Sequence, residues 1–292
     1  MTFSLKNKIK TVSLNRSGKV VFFLFLLSFS ACGKDYVTGK TSYNWFSLDT
    51  DVKLGAQVLQ AQQAGFARQN VPVDKDQEMT SRVRTIVGRI TRVSHIPNLP
   101  YEAHVAEAPV VNAWAAPGGK IMVYEGLWDP QKGLVRKESD DEIAAVLSHE
   151  IAHCTARHVT KSLSQQMTFS LVGLAVSSAI AGAGSYQGAN LFGEVFSQGM
   201  NIYIPSYSRK NESEADKIGL FYMARAGYDP RAAVEVWKRA YQRKGDQTSI
   251  YASHPSSGER AKALEKYLPQ ALEVYEQSKI MGPPVPARKG TL

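Results

Sequence analysis

The stretch that most constrains this chain is Ser139-Asp140-Asp141-Glu142-Ile143-Ala144-Ala145-Val146-Leu147-Ser148-His149-Glu150-Ile151-Ala152-His153. Ser139 with Glu142 three residues later can satisfy the free backbone donors of a helix start, and Asp140 and Asp141 suit the positive end of its dipole. The helix is then apolar at Ile143, Val146, Leu147 and Ile151, so it must be covered by a core. Two imidazoles and a carboxylate in its middle would be costly to bury without a partner. His149 and His153 lie about one turn apart and leave the same face, where they can bind one metal ion, and Glu150 beside them can reach a water on that ion. The pattern His-Glu-x-x-His also occurs by chance on surface helices; the apolar surroundings give it weight here.

A further ligand must come from outside this helix. His158 is five residues beyond His153, and Ala156 and Val159 exclude the His-x-x-Gly-x-x-His continuation. Ser208-Arg209-Lys210-Asn211-Glu212-Ser213-Glu214-Ala215-Asp216 opens another helical run that ends at Gly227, and Glu212 and Asp216 share one of its faces. Acids in a first turn are ordinarily dipole complements. A His-Glu-x-x-His helix, however, needs an acidic third ligand if a fourth position is to stay open for water.

The net charge of +9 suggests a nucleic-acid surface until it is located. Lys6, Lys8, Lys10, Arg16 and Lys19 lie in residues 1–31 and Lys279, Arg288 and Lys289 in residues 279–292, both unopposed; without these eight charges the body carries +1. No nucleic-acid partner is expected. Residues 1–31 read as a signal peptide, because the apolar run Val20 to Leu27 is too short to span a bilayer and is followed by Ser-Phe-Ser-Ala before Cys32. That ending resembles the lipobox of bacterial lipoproteins, which implies lipidation of Cys32. Gly33 in place of Asp then favours the outer membrane, with the protein facing the periplasm. Residues 32–49 are polar and turn-rich and read as a tether, able to hold a domain roughly 50 Å from the membrane at about 3.3 Å per residue. Of the two cysteines only Cys154 is left, so no intramolecular disulfide can form, and Cys154 reads as a buried small apolar residue.

Residues 50–278 read as one domain, with 279–292 a disordered tail. Apolar spacing predicts helices over Val52 to Arg68 and Gln77 to Val93. Tyr101 to Ala106, Pro109 to Ala115 and Lys120 to Tyr124 read as strands of a small meander with a tight turn at Pro117-Gly118-Gly119. Met167 to Gly184 carries no charge and reads as a buried helix rather than a membrane span, continuing into a Gly-rich lid through Tyr186 to Gly199.

In this order the motifs resemble the zinc endopeptidases of the HtpX/BepA and CAAX-prenyl-protease type. Asn112-Ala113-Trp114-Ala115-Ala116-Pro117-Gly118-Gly119-Lys120-Ile121 looks like the family's edge-strand segment, His149 to His153 its zinc helix, and Glu212 to Asp216 its Glu-x-x-x-Asp motif. Ser253-His254-Pro255, with Arg260 six residues after the histidine, is similar to a segment of the periplasmic branch. The resemblance covers most of residues 50–268. It implies a compact zincin-type single catalytic domain, mainly α with a small β-sheet (α+β), and one Zn2+ held by His149, His153 and Glu212, with Glu214 outside the ligand set. Glu150 is then the general base, and Asp216 a catalytic residue that orients a zinc histidine or assists the oxyanion, the first role being favoured. His254 is either a fourth ligand that closes the resting site or a hydrogen-bond donor to the transition state, and Arg260 pairs with a nearby acid.

Asn112, Ala113, Trp114 and Ala115 are expected to bind an extended peptide by β-augmentation, which asks little of side-chain identity. That suits a metalloendopeptidase acting on unfolded or misassembled envelope proteins in quality control, hung from the membrane by a lipid anchor and near the outer-membrane assembly machinery. The alternative is a lipoprotein with a latent zinc site that works mainly as a chaperone or assembly factor. A prenyl-protein protease is the weaker third reading, since an envelope lipoprotein would meet no such substrate.

Overall fold

The computed structural model describes residues 32–181, 207–242, 250, 254 and 258–280. The signal peptide, the lid, Ser253, Pro255 and residues 281–292 lie outside them. The described chain is α+β. It runs β1 (Cys32–Lys34), β2 (Thr41–Tyr43), α1 (Leu48–Arg68), α2 (Gln77–Arg92), β3 (Glu102–Ala106), β4 (Ala113–Ala116), β5 (Lys120–Tyr124), α3 (Asp140–Thr155), α4 (His158–Ala181), α5 (Arg209–Arg225), α6 (Arg231–Gln242) and α7 (Gly258–Ile280).

The strand order is β3-β5-β4, with β3 parallel and β4 antiparallel to β5. This corrects the expected meander: β5 takes the centre and β3 and β4 never pair. The reason lies in β5, whose five residues are all buried. Ile121 and Val123 face one apolar cluster and Met122 and Tyr124 another, so this strand needs helices on both faces. Val58, Leu59 and Phe66 of α1 cover the second face, while α2 and α3 build the first. The Pro117-Gly118-Gly119 turn sits on α1 so closely that a Cβ on Gly118, already at φ +71°, would lie 2.4 Å from the Val52 Cα.

Residues 32–49 are not an extended tether. β1 and β2 form an antiparallel hairpin, Val37 enters the core, and buried Asp35 pairs with Lys161 of α4. The chain leaving the hairpin continues along α4: Asn44 Nδ2 donates to Thr160 Oγ1 at 3.0 Å and the Trp45 amide to Ser164 Oγ at 2.9 Å. Turn-forming residues suit a slack tether and a hairpin alike; here they make a compact hairpin that docks onto side chains 116–126 positions away. At the other end α7 continues to Ile280, two residues into the expected tail, with Lys279 paired to Glu276. Among the described residues no helix is long and apolar enough to cross a membrane.

Helix α3 is the centre of the domain. All its residues from Glu142 to Thr155 are buried, so its imidazoles and carboxylates lie in the core together with its apolar residues. Ser139 Oγ accepts the Glu142 amide at 3.3 Å, but the Glu142 carboxylate turns away from the cap to the Arg136 amide and to the Arg136 and Arg239 guanidiniums. Helix α5 begins on Ser208, whose Oγ accepts the Asn211 amide, and stops before Gly227 at φ +80°. It crosses α3 almost backbone to backbone: a Cβ on Gly219 would lie 2.9 Å from the His149 nitrogen.

Candidate metal centre and active site

The close crossing brings the two motif helices face to face. From α3, His149 and His153 project their Nε2 atoms to within 3.0 Å of each other. From α5, Glu212 Oε1 lies 3.3 Å from His153 Nε2, and its Oε2 lies 3.5 Å from His149 Nε2. His254 brings Nδ1 to 3.2 Å from His149 Nε2 and 3.0 Å from Glu212 Oε1. All four side chains are buried. Ligand atoms at about 2.0–2.1 Å from a tetrahedral ion are about 3.3 Å apart, the spacing found here. Imidazole nitrogens converging on one another at this range bring lone pairs together that only a shared cation or protons can satisfy.

Charge argues the same way. Glu150, Glu212 and Asp216 are buried with Arg260 as their guanidinium partner, so with neutral imidazoles the ionised cluster carries two negative charges, the complement of a divalent cation. Without an ion the cluster takes up a proton. Burial disfavours charge on His149, but its hydrogen bonds to Asp216 and Glu212 outweigh this and push its pKa up to about 9. Burial holds His153 well below its usual value, leaving it neutral. Burial also opposes ionisation of Glu212, yet hydrogen bonds from His149, His153 and His254 hold its carboxyl far below the ordinary range.

Asp216 sits behind the ligands. Its Oδ1 is 3.0 Å from His149 Nδ1, and Arg260 grips the carboxylate through two bonds of 2.7 Å. Arg260 Nη1 also reaches Glu212 Oε2 at 2.6 Å. Burial opposes the charge on Asp216, and Arg260 followed by His149 restores it, so its pKa lies below the usual value. Glu150 points to the other side of the cluster, with Oε1 3.3 Å from His254 Nε2. Burial raises its pKa, partly offset by His254 and by the Ala115 backbone amide. Glu214 stands apart, 30% exposed, and Cys154 is a buried thiol pushed up to about 12 by burial.

The expected edge strand runs past this cluster. The Tyr124 amide donates to the Asn112 carbonyl, so alternation turns the backbone groups of Trp114 inward to β5 and those of Ala113 and Ala115 outward. Asn112 is buried, and its Oδ1 has no hydrogen-bond partner among the described residues. Just upstream, the Ile250 amide donates to the Val111 carbonyl, and the His254 amide to the Ile250 carbonyl. Ile250, which accepts the His254 amide, thus also sits at the residue that leads into the strand edge.

Three residues outside the sequence-derived set complete the site. Tyr207 stacks on the His153 ring at 3.8 Å, Trp237 lies 5.1 Å from the His149 ring and 3.9 Å beneath the Arg260 guanidinium, and His158 meets His153. Tyr207 and Trp237 come from other elements and leave no spacing signal. His158 was visible as a third histidine near the motif, but its spacing argued only against direct ligation.

Residues 77–268 match the model of peptidase family M48. The chain belongs to this family. It is similar to mitochondrial metalloendopeptidase OMA1 of Schizosaccharomyces pombe, 30% identical over 83% of this chain and 68% of that protein. Metalloprotease LoiP of Escherichia coli is 31% identical over 64% of this chain and 69% of its own. The beta-barrel assembly-enhancing protease of Yersinia pestis is 27% identical over 72% of this chain and 40% of its own. This M48 chain is therefore a metalloendopeptidase, in agreement with the HtpX/BepA resemblance drawn from its motifs.

Proposed function

We propose that this M48 peptidase is a zinc endopeptidase of the bacterial cell envelope that cleaves unfolded or misassembled proteins. The observation that carries the reading is the convergence of His149, His153 and Glu212 with Glu150 at their side, all buried on two helices in near-backbone contact. The mixed imidazole and carboxylate set suits Zn2+. When bound, the ion polarises the scissile carbonyl and lowers the pKa of water at the site. Glu150, raised by burial, takes the attacking water's proton and passes it to the leaving amine. Asp216, fixed by Arg260, holds the Nδ1 proton of His149 so that Nε2 faces the ion. The outward backbone groups of Ala113 and the Ala115 carbonyl pair with the substrate backbone, the Ala115 amide being turned to Glu150, and Asn112 Oδ1 accepts a peptide N–H. Main-chain recognition suits substrates that are extended rather than folded.

The envelope location rests on the basic and apolar leader and on Cys32 as the lipidated residue. Unfolded envelope proteins are then the substrates, and the outer-membrane assembly machinery is the neighbouring complex. Replacing Glu150 with Gln tests the chemistry: zinc content is retained and chelator-sensitive digestion of a denatured protein falls by about 10²–10⁴-fold. A variant that still cleaves removes Glu150 from the base role.

His254 supports a second reading, in which the resting site is latent and the protein acts mainly as a chaperone. Its ring contacts His149, Glu212 and Glu150 together, leaving a substrate carbonyl no approach until it withdraws. His254→Ala accelerates digestion if His254 closes the site; slower digestion assigns it to transition-state stabilisation. Suppression of aggregation by inactive Glu150→Gln would favour the chaperone.

A further inference from the structure

His158 opens helix α4 directly after a kink. Arg157 adopts φ +57°, a conformation that side chains other than glycine rarely take, and is held there by Asp51 at 2.6 and 2.9 Å and by the Phe46 carbonyl at 2.6 Å. The kink brings the His158 ring back beneath His153: the rings meet edge to face at 4.9 Å, with Nδ1 2.9 Å from Nδ1. The far nitrogen of His158, Nε2, lies 3.5 Å from Glu214 Oε2, and His158 is 2% exposed.

Proton counting leaves one arrangement. If His153 gives its Nε2 lone pair to an ion, its Nδ1 carries hydrogen and must donate. His158 Nδ1 is the acceptor, so the proton of His158 sits on Nε2 and points to the Glu214 carboxylate. On the Nδ1 side, away from the ligand cluster, His149 meets a carboxylate directly in Asp216, whereas His153 reaches one through a second imidazole.

We propose that His158, backed by Glu214, is a positioning residue for the metal centre, fixing the tautomer and ring plane of His153. The inference rests on His149, His153 and Glu212 being the zinc ligands. Outer partners of ligating histidines typically contribute 10–100-fold in metal affinity.

The test is competition for Zn2+ against a chromogenic chelator, with Co2+ absorption spectra as the second readout. His158→Phe keeps a ring but removes the acceptor, and it should weaken Zn2+ binding by about 10–100-fold and shift the Co2+ bands. His158→Asn places an amide oxygen where Nδ1 stood and should return affinity to within about threefold, which a purely packing role would not allow. Glu214 is partly exposed, so Glu214→Ala leaves folding intact and should weaken Zn2+ by about threefold to tenfold, keeping the proposal open to test if His158→Phe does not fold. Wild-type affinity in His158→Phe, or in Glu214→Ala, overturns the proposal. His149→Ala binding Zn2+ as tightly as the wild type overturns the ligand assignment instead, and so separates the two failures.

Discussion

Replacing Arg260 with Met takes a buried guanidinium away from two carboxylates it touches, Asp216 and Glu212, beside a third, Glu150. Arg260 is 6% exposed and lies against Trp237, so water cannot take over its role without disrupting packing. Removing one partner of a buried ion pair costs about 3–5 kcal/mol, because the remaining charge stays buried. For a domain of this size about 1 kcal/mol moves Tm by about 2–4 °C, so the metal-free variant should melt roughly 6–20 °C below the wild type. Calorimetric scans in chelator and in saturating Zn2+ provide the assay. A divalent cation offsets the same carboxylates, so Zn2+ should stabilise the variant at least as much as the wild type. Arg260→Lys keeps the charge but loses the two-pronged grip on Asp216, and should fall between them. A metal-free Arg260→Met protein melting within about 2 °C of the wild type would refute the charge balance proposed for this cluster.

Gly219→Ala should cost about 1–3 kcal/mol in urea unfolding and weaken Zn2+ binding, since the new methyl forces apart the helices that carry His149 and Glu212; a neutral substitution would mean the helices do not meet there. The folded pKa of His149, about 9, exceeds its ordinary 6.5, so its contribution to stability is complete below pH 6.5 and disappears as pH rises through about 9. Metal-free protein should accordingly lose on the order of 3 kcal/mol across that window while Zn2+ affinity rises, both measurable by melting and chelator competition at stepped pH. Asn112→Ala should lower kcat/KM for an unfolded substrate by about tenfold without lowering Tm comparably, because its Oδ1 makes no bond within the described fold. Equal loss of stability and activity would place Asn112 in the scaffold rather than at the substrate.

The site was legible because its chemistry is local. His149, Glu150 and His153 fall within one turn of one helix, and Glu212 and Asp216 within one turn of another, so spacing alone puts each set on a face. What spacing cannot carry is which faces meet. The crossing at Gly219, the ring of Tyr207 on His153 and the Trp237 shelf under Arg260 are tertiary events between distant segments. The strands show the same division: β5 was found over its full length, while the β3-β5-β4 order was not, because alternation reports exposure rather than partners. Residues 32–49 are the least legible stretch. Their polarity and turn signals describe a hairpin and a tether equally well, and only Asp35 on Lys161 and Val37 in the core decide between them.

That hairpin changes how an anchored enzyme would search for its targets. With Cys32 as the lipidated residue proposed above, the acyl chains attach to the first strand of the folded unit, and no ball-and-chain slack separates lipid from catalyst. A domain of this size has a radius of gyration of about 18 Å, so the metal site would ride within roughly two radii of the bilayer. Such an enzyme patrols a surface in two dimensions. Chains stalled at the membrane would meet it at high local concentration, and chains released into the bulk would drift out of its range.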